Sequence, residues 1–353
     1  MRFLYLLLCL PISAVAKNLN LDISINAYAQ PVSIKAFTDD WDDKFTKGDK
    51  AFLQGRAEIS QKNKNSQLSV LWRYDYLLGF SEQTAQIYHA YKNNYLPITQ
   101  QSYPLFISAK YSESYGVRWL QYKDFSDSLK FGLAFNLLKG YKITDGQLQG
   151  NVNFQQQGFK VEDINNMQMD ISYYYDEPQL KEEQLEWHPQ NPSALGFSFD
   201  AVLDWQINQK ALFELQINDV YGRLYWRDIP TTQYQASCEC YKFSHNIEGQ
   251  LAIDDKYTQK LLINGNARLN YQLNNTYSTE LRLLANDNSQ LWQGVFLYNV
   301  KNDLKYGLVL EPQTHSLGLE LKTKNIYVHF LTDDLNTNKA HRLGIGLGVY
   351  QQW

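Results

Sequence analysis

The sequence predicts an all-β fold, a single antiparallel barrel of about 16 strands (14–18) that crosses a membrane. Apolar and polar residues alternate through most of the chain after residue 17, as in the segment "ALGFSFDAVLDWQIN" at 194–208. Aromatic residues make up 14% of the chain and include 26 Tyr, yet the mean hydropathy is −0.47. Apolar residues at every second position give strands with one apolar face, as a lipid-facing barrel wall requires.

The N-terminus has the layout of a secretory signal peptide. Arg2 precedes the apolar run Phe3–Leu10, and small residues follow at 14–16. This run is too short to span a bilayer, so we expect cleavage after Ala16. Residues 1–16 are then the signal peptide, and residues 17–353 form the barrel. Cleavage removes Arg2 and no acidic residue, which changes the formal net charge from −4 to about −5. Such a mild charge does not indicate a nucleic-acid partner.

The breaks between the predicted strands have two lengths. Short polar segments at 208–210, 273–276, 301–303 and 322–325 predict tight hairpin turns. Longer polar stretches near 29–50, 78–103, 176–194 and 221–242 predict loops. Short periplasmic turns and long extracellular loops are typical of an outer-membrane barrel. The segment 140–165 is rich in Gln and Asn and its role stays open, a partial plug being one interpretation.

A secreted β-sandwich or propeller would also contain alternating strands. Here many polar positions carry Asn, Gln, Ser and Gly, which suit a wet barrel interior. The sequence of a propeller would contain a repeat of roughly 40–50 residues, and no such repeat is visible. The barrel is therefore the favoured fold.

Charged residues on the polar faces of the predicted strands are the candidates to face the barrel interior. They are Arg56, Arg73, Asp75, Arg118, Asp200, Asp204, Glu214, Arg268 and Arg282. One interpretation is a charged constriction that selects solutes. The other is a set of ion pairs that fills and braces the interior. Because both signs are present, no ion selectivity follows.

No compact catalytic or metal-binding pattern is found in the sequence. The six histidines are scattered, at His89, His188, His245, His315, His329 and His341. Ser244, His245 and Asn246 carry the residue types that barrel phospholipases use. Neighbours on a strand point to opposite faces, however, so Ser244 and His245 would not couple there. We expect no catalytic residue, no metal site and no cofactor.

Cys238 and Cys240 are the only cysteines after the predicted signal peptide. Export through an oxidising periplasm favours a disulfide that staples a loop. A redox or metal-binding role is the alternative.

The C-terminal segment "LGIGLGVYQQW" resembles the β-signal of Gram-negative outer-membrane proteins. The matching residues are Leu343, Ile345, Leu347, Val349 and Trp353. Gln351 departs from the pattern, because an apolar or aromatic residue is usual there, and the final residue is Trp where Phe is commoner. The resemblance implies localisation in the cell outer membrane, contact with its lipid, and the barrel-assembly machinery and periplasmic chaperones as partners. Segments 219–232 and 331–348 resemble a group of uncharacterised proteobacterial outer-membrane proteins, which implies no finer function.

The expected function is an outer-membrane channel, a porin-like passage for small polar solutes. Barrels of this size can leave an aqueous interior, which eight-stranded ones cannot. The alternative is a non-conducting barrel that acts as a surface receptor, an adhesin or a scaffold for envelope assembly. An outer-membrane lipid hydrolase is the least favoured function. The sequence does not define the solute, the oligomeric state or whether the interior is open.

Overall fold

Antiparallel strands joined into one sheet dominate the computed structural model, which describes residues 18–93, 102–154, 164–180, 182–242, 244–300 and 304–351. The described strands are β1 (Leu19–Ala29), β2 (Lys50–Lys62), β3 (Ser66–Phe80), β4 (Ser102–Ser126), β5 (Leu129–Phe154), β6 (Ile164–Tyr175), β7 (Ser193–Asn208), β8 (Ala211–Glu239), β9 (Ser244–Lys260), β10 (Asn264–Gln272), β11 (Tyr277–Asn286), β12 (Ser289–Asn299), β13 (Lys305–Glu311), β14 (Ser316–Lys322), β15 (Ile326–Thr332) and β16 (Arg342–Gln351). The described helices are α1 (Ile34–Thr38) and α2 (Glu82–Asn93), with short 3-10 helices at Glu182–Leu185, Cys240–Lys242 and Pro312–Thr314.

Fourteen strands close into an antiparallel barrel, and β6 and β9 are two additional strands. The circle runs from β1 through β5 to β7, then to β8 and β10 through β16, and back to β1. The predicted all-β barrel is therefore confirmed, with 14 closing strands among the 16 described. The predicted signal peptide, residues 1–16, lies outside the described residues.

The barrel is closed by the pairing of β1 with β16. Their register runs from Leu19 opposite Gln351 to Tyr28 opposite Arg342. The aliphatic residues of β16 point outward and its glycines point inward, as the exposure pattern along the strand shows. Trp353, the last residue of the predicted β-signal, lies outside the described residues.

The two ends of the barrel differ. Tight turns at 63–65, 127–128, 209–210, 273–276 and 323–325 lie at one end, called here the lower end, together with the first residue of β1 and the last of β16. The predicted turns at 208–210, 273–276 and 322–325 are therefore confirmed, and the one at 301–303 lies outside the described residues. The opposite, upper end carries both helices and the longer connections.

Three strands run far beyond the length that a bilayer needs. β4, β5 and β8 contain 25, 26 and 29 residues, whereas about 9–11 residues cross a membrane. Their upper parts pair with β6 and β9 in the order β4–β5–β6–β8–β9. This upper sheet comprises residues 102–113, 142–154, 164–175, 229–239 and 244–254.

The upper sheet corrects two sequence-based expectations. The stretch 221–242, predicted as a loop, is mostly the upper part of β8. The residues 140–154 of the suggested plug segment continue β5, and residues 155–163 lie outside the described part. Both segments are strands because their backbone groups form hydrogen-bonded ladders with β6 and β9.

Helices α1 and α2 pack on the upper part of the barrel wall. Ser33 caps α1 by accepting a hydrogen bond from the Ala36 N–H, at 3.2 Å. Trp41 and Ala85 join a buried apolar cluster with Ala51 and Phe80, which belong to the outward faces of β2 and β3. The helices therefore cover the wall from outside. None of the described helices is long and apolar enough to cross a membrane.

Candidate functional site

The barrel encloses a polar chamber of about 510 Å³. Its wall consists of inward-facing residues from β1 to β4, from β7 and β8, and from β10, β11, β12, β15 and β16. Among the lining residues are Asp22, Ser24, Asn26, Gln54, Arg56, Glu58, Arg73, Asp75, Arg118, Gln216, Asn218, Asn266, Arg268, Arg282, Gln293, Tyr327, His329, Arg342 and Tyr350. We call this cavity the chamber.

Arg73 connects opposite walls of the barrel. Its guanidinium donates to both carboxylate oxygens of Asp219, at 2.8 and 2.6 Å, and to Asp75 at 2.8 Å. β3 and β8 are not neighbours in the sheet, so the pair with Asp219 crosses the interior. Asp219 is 1% exposed and lies at a positive φ of 56°, where the pairing between β7 and β8 shifts register.

Arg118 forms a second buried ion pair, with Asp200 on β7, which is separated from β4 only by β5. Its Nε donates to the Asp200 carboxylate at 3.0 Å, and both side chains are buried. The other Asp200 oxygen accepts from the Asn136 amide and from the Asp219 backbone N–H, each at 3.0 Å. Glu58 lies 3.5 Å from Arg118 and accepts from Arg56 at 2.9 Å. These groups connect β2, β3 and β4 to β7 and β8 by one polar network.

A separate cluster of charges lies on β11, β14 and β15. Arg282 donates to Glu280 at 2.8 Å and to Glu320 at 2.9 Å. Lys322 donates to Glu280 at 2.8 Å, and His329 Nδ1 lies 3.0 Å from Glu320. Each buried carboxylate therefore has at least two cationic or hydrogen-bonding partners, which burial of a charge requires.

A third pair joins the first residue of β16 to the end of β13. Arg342 is fully buried, and its Nε donates to Glu311 at 2.7 Å. Glu311 also accepts from the Gln293 amide at 2.8 Å. This pair fixes the strand that closes the barrel at its upper end.

An apolar layer lies above the chamber. Phe52, Leu77 and Leu291 are buried together, with Leu262 and Leu284 packed against them. Phe52 and Leu77 belong to β2 and β3, whereas Leu284 and Leu291 belong to β11 and β12, which are separated from them in the sheet. The layer therefore spans the interior, and we call it the apolar layer.

Polar contacts accompany the apolar layer. The Lys50 ammonium donates to the Asn288 carbonyl at 3.1 Å, and the Asn286 amide donates to Gln54 at 3.3 Å. Both contacts connect β2 to the β11–β12 hairpin. Opening the interior at this level would have to separate that hairpin from β2 and β3.

The nine charged residues predicted from the sequence fall into three groups. Six of them line the chamber: Arg56, Arg73, Asp75, Arg118, Arg268 and Arg282. Asp200 lies behind the chamber wall, against Arg118. Asp204 and Glu214 lie opposite each other on β7 and β8, and Glu214 is 3.6 Å from Arg268.

Sequence reasoning missed several carboxylates and one arginine that complete these networks. They are Glu58, Asp219, Glu280, Glu311, Glu320 and Arg342. A signal was present for two of them: Glu58 and Glu280 each lie two residues from a predicted arginine on the same strand face. For Asp219 no such signal exists, because the register shift there breaks the period of two.

The remaining candidate positions give no reactive cluster. Cys238 and Cys240 are joined by a disulfide at the upper end of β8. Ser244, His245 and Asn246 are consecutive residues of β9, so the imidazole and the hydroxyl project from opposite faces. Among the described residues, no three His, Cys, Asp or Glu side chains are grouped closely enough to hold a metal ion.

No protein-family model matches the chain, and no curated protein matches it. Several solved structures have a similar overall shape. The CymD monoaromatic hydrocarbon channel has a TM-score of 0.45 at 7% identity, over 96% of this chain and 89% of that chain. The Pseudomonas putida toluene transporter TodX gives 0.43 at 7%, over 96% and 88%. The Ralstonia pickettii toluene transporter TbuX gives 0.39 at 9%, over 97% and 90%. We base no assignment on these similarities, since the identities and TM-scores are low.

Proposed function

We propose that the protein is an outer-membrane channel for small polar solutes, held closed by the apolar layer in this conformation. The observation that carries the proposal is the chamber, a polar cavity of about 510 Å³ inside a closed barrel. Its lining of amides, hydroxyls and paired charges can replace the water around a polar solute.

The outer surface of the barrel supports a membrane location. Outward-facing residues include Leu133, Leu195 and Leu319, which are 55%, 63% and 68% exposed. A soluble protein rarely exposes a continuous apolar surface of this kind, whereas a barrel in lipid requires it. A closed sheet also leaves no unpaired edge within the lipid. The predicted signal peptide and the resemblance of the C-terminal segment to a β-signal support the outer membrane of a Gram-negative bacterium as this location.

Conductance of the refolded protein in planar bilayers tests the proposal. We compare the native chain with Phe52→Ala/Leu291→Ala, which removes side chains from two sides of the apolar layer. The matched control is Phe296→Ala/Leu317→Ala, since both residues are exposed on the outer wall. We expect larger or more frequent conductance steps for the first variant, and steps like those of the native chain for the control.

A second candidate function, a non-conducting surface barrel, is favoured by the buried ion pairs of Arg73 and Arg118. Such pairs fill and stiffen an interior rather than open it. Sealed bilayers at high protein occupancy, for the native chain and for the opened variant alike, would overturn the channel proposal and support this second function.

A further inference from the structure

The inner face of the upper sheet carries an ordered set of polar side chains. Gln147, Ser172, Gln233 and Gln250 lie directly opposite one another on β5, β6, β8 and β9. Because the strands are paired in register, these four side chains form one row across the sheet and project from the same face.

A second row runs beside the first, two residues farther up the strands. It consists of Gln149, Asp170, Gln235 and Glu248. The two rows line a groove of about 460 Å³, separate from the chamber. A groove of this size falls within the range of small-ligand sites. We call it the polar groove.

Most hydrogen-bonding groups of the polar groove face solvent. All its charged and amide side chains are exposed, and Ser172 is half-buried. Within these two rows the structure shows one side-chain contact, from the Gln149 amide to Gln147 at 3.4 Å. Each Gln carries both a donor and an acceptor group. The groove therefore offers many donors and acceptors at fixed positions on a rigid sheet.

Two stacked tyrosines lie at the lower end of the polar groove. Tyr174 is two residues from Ser172 on the same face of β6, and its ring lies 3.9 Å from that of Tyr257, at an angle of 22°. Tyr257 hydrogen-bonds to Asp145, and Tyr174 hydrogen-bonds to Asp254. An aromatic surface therefore lies next to the polar rows, beyond the residues that line the groove.

We propose that the polar groove binds an extended oligosaccharide of hexose units. Sugars present hydroxyls that donate and accept at once, which amides and carboxylates satisfy in pairs. The apolar face of a sugar ring packs on an aromatic ring such as Tyr174. Neighbouring strands lie about 4.8 Å apart, so successive side chains of one row are separated by a distance close to the length of one sugar unit.

A polar peptide is a less suitable ligand for this surface. Its backbone needs an open strand edge, and β5, β6 and β8 are paired on both sides along the polar groove. In the described part of the chain, the edge of β9 that faces away from β8 is the one a peptide could join. That edge lies beside the groove and not within its rows.

Calorimetric titration of the full-length protein tests the inference. The probes are maltohexaose, the hexamer of N-acetylglucosamine, and a delipidated bacterial O-polysaccharide, with a Ser/Asn-rich decapeptide as the comparison. A zwitterionic detergent replaces sugar detergents, which would compete for the groove. Binding of a hexamer alone would indicate a free oligosaccharide as the source, and binding of the O-polysaccharide alone would indicate the cell-surface polymer.

The variant Gln233→Ala/Gln250→Ala removes the two neighbouring amides that β8 and β9 contribute to the first row. We expect its affinity for the bound saccharide to fall about tenfold or more, since two hydrogen-bonding groups are lost. The matched control, Gln184→Ala/Gln190→Ala, changes two exposed glutamines between β6 and β7 and should bind like the native chain. Saturable binding with this difference supports the site. The inference is wrong if no saccharide binds at millimolar concentration, if both variants bind equally, or if only the peptide binds. These outcomes are independent of the conductance experiment that tests the channel.

Discussion

Leu319→Arg tests whether the outward faces of the strands contact lipid. Leu319 is the central residue of the seven-residue strand β14, is 68% exposed, and lies between Leu308 and Phe330 on the neighbouring strands. This position corresponds to the middle of the apolar band. An arginine near the bilayer midplane costs about 2–4 kcal/mol. The ratio of folded to unfolded protein should therefore fall by about 30- to 700-fold, at about 1.4 kcal/mol per factor of ten.

The assay is reversible urea unfolding of the refolded barrel in lipid vesicles, followed by the mobility shift of the folded form in gels. The control is Asn266→Arg, because Asn266 lines the chamber and an arginine there stays hydrated. We expect a smaller loss for the control than for Leu319→Arg. If the control loses as much stability, or if Leu319→Arg loses none, the assignment of inner and outer faces is wrong.

Two further predictions concern the interior and the orientation of the barrel. Arg73→Ala leaves the buried Asp219 carboxylate without its cation and should lower the free energy of unfolding by about 3–5 kcal/mol in the same assay. The control Arg268→Ala should lower it by less than about 1 kcal/mol, since the Arg268 side chain is 37% exposed. Similar losses for the two variants would contradict the bracing role of Arg73. Lys35→Cys, in α1 at the upper end, should react with a membrane-impermeant maleimide on intact cells, and Lys324→Cys, in a lower turn, should react after lysis alone; the reverse result would invert the orientation.

The wall of the barrel could be predicted because lipid demands a strict pattern. Each strand that crosses the apolar band has to place apolar side chains outward and can place polar ones inward. In β16 this gives the alternation of aliphatic residues and glycines that the sequence displays. The sequence predicts the strands best where every second residue has to be apolar.

The upper parts of β5 and β8 were not predicted as strands. Above the lipid, both faces of a strand meet water or other protein segments, so the outward positions need not be apolar. Residues 146–154 nevertheless alternate, with Val152 and Phe154 on the face opposite Asn151 and Asn153, so the pattern did indicate a strand although the segment was interpreted as a plug. Hydrogen bonding to β6 and β9 extends β5 and β8 beyond the barrel. A pattern of hydropathy does not indicate which strands pair.

The interior networks could be predicted only in part. A period of two assigns a residue to a face, and in this way Arg73 and Arg118 were assigned to the inside. It does not say which strand lies across the barrel, because that depends on closure and register. Consequently Asp219 could not be derived as the partner of Arg73, and Asp200 was predicted to face the interior but was not paired with Arg118. The apolar layer was missed as well, since Phe52 is an apolar residue at a position whose neighbours on the same face are polar.

The distribution of these contacts determines where a passage could open. The buried ion pairs of Arg73 and Arg118 connect β3 and β4 to β8 and β7. Separating a buried pair without replacement costs about 3–5 kcal/mol. The apolar layer joins β2 and β3 to the β11–β12 hairpin through a few side chains, such as Phe52 and Leu291, and two polar contacts. Because the chamber extends to β11 and β12 directly below the layer, movement of the β11–β12 hairpin would open the chamber upward while the ion pairs keep the rest of the wall in place.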